Sequence, residues 1–78
     1  MGKVKQAIQE VEEEVVSLVG DIPQRYIGKD VINLKAIQEV LPERLTDNPY
    51  ANDKELIKKY YKKAVWERDN EEEYHEQE

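Results

Sequence analysis

Apolar side chains recur at helical spacing at the start of the chain, where Val4, Ala7, Ile8, Val11, Val15, Leu18 and Val19 form one stripe over four turns. Glu10, Glu12, Glu13 and Glu14 fall beside or opposite it. Gly20 stands where a helix commonly stops in a left-handed conformation, and Asp21, Ile22 and Pro23 then turn the chain. The run VVSLV at 15–19 has strand composition on its own, but the seven-point stripe overrules it.

The stretch QRYIGKDVIN at 24–33 admits two readings: a short helical turn broken at Gly28, which is favoured, or a hairpin closing through Gly28, Lys29 and Asp30. Next, Asp30 or Asn33 caps a helix with Leu34, Ile37, Val40 and Leu41 on one face. That helix is expected to end before Pro42, because the residue preceding a proline is pushed out of the α region. The connector PERLTDNPYAND carries two prolines and a Thr-Asp-Asn-Pro turn signal, with Leu45 and Tyr50 tacking it to the core. A last helix opens at Asn52 with Glu55 three residues on, as in a capping box. Ile57, Tyr60, Tyr61, Ala64 and Val65 are its buried stripe, and Lys54, Lys58, Lys59, Lys62 and Lys63 occupy much of the rest.

These patterns predict an all-α protein: one compact three-helix domain over 1–68, followed by an acidic C-terminal tail at 69–78 that could continue the last helix. The alternative is α+β, with a short hairpin near 24–33. The expected core is Ile8, Val11, Val15, Leu18, Leu34, Ile37, Leu41, Ile57, Tyr60, Ala64 and Val65. No repeat, long heptad pattern or dividing linker interrupts it.

Composition adds a constraint, since 78 residues with 38% hydrophobic and no phenylalanine leave a thin core. Such a domain is expected to complete its burial by pairing, so a homodimer is anticipated. With no cysteine there is no disulfide framework, and with no apolar run near the roughly 20 residues of a membrane span, a cytoplasmic location without a membrane partner is expected.

Charge changes the picture further. Residues 1–8 carry +2, 9–21 carry −5, 22–53 carry −1, 54–68 carry +4 and 69–78 carry −6. Two acidic blocks therefore flank a neutral middle and a basic helix.

Catalytic chemistry finds little material. The one serine, Ser17, is read within the first apolar stripe, and the one histidine, His75, lies in the tail. His75 with Glu71 or Glu72 has helical ligand spacing, but a single imidazole among solvated carboxylates is a weak metal site. No enzyme activity, cofactor or metal is expected. The segment 54–68 mixes six basic side chains with Tyr60, Tyr61 and Trp66, as a nucleic-acid binder would. The tyrosines recur at core spacing, however, and the flanking acidic blocks repel phosphates, so direct nucleic-acid binding is not favoured.

The tail offers a sharper possibility. If residues 69–78 were helical they would span about 15 Å at one charge per roughly 2.5 Å, against about 1.7 Å for DNA. Fully extended they would cover about 33 Å and lose the likeness. The expected function is a small acidic protein–protein interaction protein, a regulator or inhibitor that binds the basic surface of a partner, in the limit a DNA mimic acting on a nucleic-acid-binding protein. Its partner-binding residues would be Glu10, Glu12, Glu13, Glu14, Asp69, Glu71, Glu72, Glu73, Glu76 and Glu78. The competing classes are an assembly protein that oligomerises through its helices, and a nucleic-acid binder using the lysine helix.

Overall fold

The computed structural model describes residues 2–70, and within them the chain forms three α-helices and no strand. They are α1 (Gly2–Gly20), α2 (Asp30–Arg44) and α3 (Lys54–Asp69), joined through 3-10 turns at Gln24–Tyr26 and Pro49–Asn52. The all-α reading holds, and the hairpin alternative at 24–33 does not: this segment is a 3-10 turn followed by Gly28 at φ +92°. Of the tail, Asp69 is the last residue of α3 and Asn70 its cap, while residues 71–78 lie outside the described residues.

Contacts distant in sequence set the directions of the helices. Arg44 at the end of α2 pairs with Glu14 of α1, while the Gln38 side chain donates to the Lys54 carbonyl and the Tyr61 hydroxyl donates to Asp30. Helix α2 is thus antiparallel to both of its neighbours. Helices α1 and α3 run parallel, with Asn48, just before α3, bonded to Ala7 and Lys63 bonded to Glu12 further along both helices.

The core between them comprises Val11, Val15 and Val19 from α1, Ile37 and Leu41 from α2, Ala51 from the second turn, and Ile57, Tyr61 and Ala64 from α3. Six expected core residues are fully buried: Val11, Val15, Ile37, Leu41, Ile57 and Ala64. Leu18, Leu34, Tyr60 and Val65 instead pack half-buried against the core edge, and Ile8 is half-buried as well. Val4 is 51% exposed, so the α1 stripe continues past the point where neighbours cover it. Leu45 and Tyr50 do tack the connector to the core.

Several boundaries differ from expectation. Gly20 ends α1 without a left-handed turn: the Asp21 amide donates to Ser17 and Leu18, the Ile22 amide donates to Val19, and Pro23 then stops the helix. Neither Asp30 nor Asn33 caps α2. Its cap position is Lys29, with no side-chain bond, while Asn33 is buried in the first turn and its Nδ2 donates to the Tyr26 carbonyl at 2.8 Å.

Pro42 lies inside α2 rather than beyond it. So near the end a proline removes one intrahelical bond, and the last turn is held by buried Leu41 and by the Leu45 amide donating to the Leu41 carbonyl at 2.9 Å. Helix α3 is capped by Asp53 rather than Asn52, the Asp53 Oδ1 accepting from the Leu56 amide at 3.2 Å. Asn52 is occupied in closing the preceding 3-10 turn.

Candidate interaction surface

The four glutamates of α1 point in three directions, because consecutive helical residues are about 100° apart. Glu14 turns toward α2 and pairs with Arg44. On the same flank Glu10 is exposed and accepts from Asn48 Nδ2 at 3.3 Å. Glu12 turns the opposite way and accepts from Lys63 Nζ at 2.8 Å, and that hydrogen bond, with the attraction of the same carboxylate, raises the Lys63 pKa. Glu13 faces solvent. The cluster that looks continuous in sequence is therefore divided by the fold, with two of its four charges tied to basic side chains of α2 and α3.

Asp69 is exposed and accepts from the neighbouring Arg68 at 3.2 Å. Helix α3 closes at Asn70, whose Nδ2 donates to the Trp66 carbonyl at 2.7 Å. The remaining expected partner-binding positions, Glu71, Glu72, Glu73, Glu76 and Glu78, lie outside the described residues, as does His75.

On α3 the aromatic side chains separate by role. Tyr61 is core, and its hydroxyl donates to Asp30 Oδ1 at 2.7 Å, which pins the start of α2 to the middle of α3. Burial, reinforced by that bond, pushes the Tyr61 pKa up to about 12. Tyr60 is half-buried, with Lys59 Nζ 5.8 Å from its ring centroid. Trp66 is 65% exposed on the side facing away from the core, near Lys59, Lys62 and Lys63 by helical spacing. Of the three aromatics that suggested base stacking, the fold commits Tyr61 fully and Tyr60 partly to packing.

Ser17, expected within the apolar stripe, faces solvent. Among the described residues no three His, Cys, Asp or Glu side chains gather as metal ligands, and every buried side-chain polar atom has a hydrogen-bond partner. No described helix is long and apolar enough to cross a membrane.

One surface was missed in the sequence. Leu18 and Ile22 from the end of α1, Pro23 and Tyr26 from the following turn, and Ile32, Ala36 and Val40 from α2 line an apolar groove of about 420 Å³. Its signal was the i, i+4, i+8 spacing of Ile32, Ala36 and Val40, a second stripe beside the one ending at Leu41. The stronger core stripe masked it, Val40 being counted with that face.

The described residues form a three-helix domain with a divided acidic row, a basic outer face and an apolar groove. No family model, curated protein or solved structure matches the chain.

Proposed function

We propose that this chain is a small non-catalytic interaction protein, a regulator or inhibitor that uses acidic side chains to bind the basic surface of a protein partner. The partner class that fits best is a protein that itself holds nucleic acid, whose phosphate-binding groove the carboxylates would occupy. The observation that carries this reading is where the charge resides. Residues 2–70 hold thirteen acidic and all twelve basic side chains, and the five other carboxylates are Glu71, Glu72, Glu73, Glu76 and Glu78. The helical body nearly cancels its own charge, in part through the Glu12–Lys63 and Glu14–Arg44 pairs. The net charge of −6 therefore sits almost entirely in the last eight residues, with exposed Glu10 and Glu13 as further unneutralised positions. Such a charge distribution favours fast, salt-sensitive association with a positive surface.

The test is capture of partners from a native cell extract on immobilised protein, eluted with a salt gradient. It is run beside a variant with Glu71, Glu72, Glu73 and Glu76 changed to Gln and a second with Glu10 and Glu13 changed to Gln. Nucleic-acid-binding proteins should elute at moderate salt, and the quadruple variant should weaken their binding roughly tenfold or more. A partner held equally well by both variants overturns the reading.

A further inference from the structure

We infer that the outer face of α2 is a self-association surface, on which a second copy of this chain packs its own α2 antiparallel about a two-fold axis at Ala36. The inference is independent of any acidic grip on a partner. It rests on five positions: Lys29, Ile32, Ala36, Val40 and Glu43 follow one another at steps of three, four, four and three. At 100° per residue they share a strip about 80° wide. The pattern is a palindrome in spacing, with opposite charges at its two ends.

An antiparallel pair centred on Ala36 brings Ile32 against Val40 of the partner subunit, and Lys29 against Glu43 of the partner subunit, each contact occurring twice. Alanine at the axis lets the two helices approach closely. Parallel pairing would instead set like charges together, so the charges select the antiparallel arrangement.

The monomer leaves this strip largely uncovered, with the Lys29 Nζ 5.6 Å from the Tyr26 ring centroid. Ile32 is 57% exposed, and Lys29, Ala36 and Glu43 are exposed while Val40 is half-buried. Neither Lys29 nor Glu43 makes an ion pair among the described residues. Both are moreover placed against the helix macrodipole, a cation at the start of α2 and an anion in its last turn. Across the dimer axis each meets the opposite charge instead. The groove beside the strip, with Ile22 and Tyr26 on its far wall, gives the partner's ridge an apolar seat. One helix pair with a groove edge buries less than the roughly 800 Å² per partner of a standard interface, so the dimer should dissociate on dilution.

Sedimentation equilibrium over a hundredfold concentration range tests this, with far-UV circular dichroism as the check on folding. The native chain should shift from monomer to dimer, and A36E, which sets two carboxylates against each other at the axis, should raise the dimer Kd at least about tenfold. K29E and E43K should each weaken association by about tenfold, and the K29E/E43K double variant should return to within about threefold of native. Both single changes favour the α2 macrodipole, so lost association cannot be attributed to a weakened helix. A monomer mass throughout, a dimer indifferent to A36E, or single variants that the double does not restore each overturns the inference.

Discussion

Asn48 offers the most discriminating test of how the fold is held, because it has a local role and a long-range one that predict opposite outcomes for a single substitution. The side chain is 6% exposed. Its Oδ1 caps the second 3-10 turn by accepting from the Tyr50 amide at 2.9 Å, and its Nδ2 donates to the Ala7 carbonyl at 2.7 Å across 41 residues of sequence. A longer contact at 3.3 Å reaches Glu10. Asn48→Ala deletes the cap, worth about 1 kcal/mol, and the tether with its weak third contact, worth about 1–2 kcal/mol, so the loss should be about 2–3 kcal/mol. In a domain of this size that is a fall of roughly 10–20 °C in Tm.

Asn48→Asp keeps the shape and the capping oxygen, and Asp is among the best residues at a helix N-terminus. If the residue acted only on its own turn, this change would be almost silent. The structure requires the reverse, since it replaces the donor with an anionic oxygen facing the Ala7 carbonyl and the Glu10 carboxylate in a buried site. Urea unfolding of both variants at neutral pH, followed by far-UV circular dichroism, should rank Asp as at least as destabilising as Ala. An Asn48→Asp midpoint equal to native would refute the tether.

Two further outcomes follow from the backbone and from the buried phenol. Gly20→Ala and Gly28→Ala should have opposite signs although a Cβ meets nothing within 4 Å at either site. Gly20 closes α1 without a positive φ and should gain about 0.5–1 kcal/mol, while Gly28 at φ +92° should lose about 1–2 kcal/mol; effects of the same sign in thermal unfolding would contradict the backbone assignment. Tyr61 holds its proton more tightly folded, up to about 12, than at its ordinary 10.0, so its stabilisation is complete below pH 10 and lost as pH rises from about 10 to about 12. Tyr61→Phe should therefore be less stable than native at neutral pH, with the gap closing across that window in pH-dependent urea midpoints. A constant gap would contradict the raised pKa, and Tyr61→Phe as stable as native at neutral pH would exclude the link to Asp30.

The three helices were legible in the sequence because helical periodicity is a local property. The α1 stripe from Val4 to Val19, the Ile57-to-Val65 stripe of α3 and the break at Gly28 each depend on residues within a turn or two of one another. Helix ends were less legible, since at each one neighbouring residues compete for the same backbone groups. Asn52 and Asp53 are both good caps, and the turn that consumes Asn52 decides for Asp53. Pro42 is read as a terminator by its chemistry alone, whereas the burial of Leu41 and the bond from the Leu45 amide to its carbonyl carry α2 past one lost bond to Arg44.

Tertiary structure alone decided depth and pairing, because both depend on which distant segment arrives over a given side chain. Ile8 and Val11 share one stripe, but only Val11 is fully covered. Ala51 and Asn48 lie in a connector and are buried because α1 closes over them. The glutamates of α1 read as a single charged row, yet the arrival of Arg44 and Lys63 on opposite flanks divides that row between two ion pairs. Composition sets how much charge and apolar surface the chain possesses. Which of it remains exposed for a partner is set by the packing of the helices, since the same residue types at the same spacing are neutralised or left open according to what lies across from them.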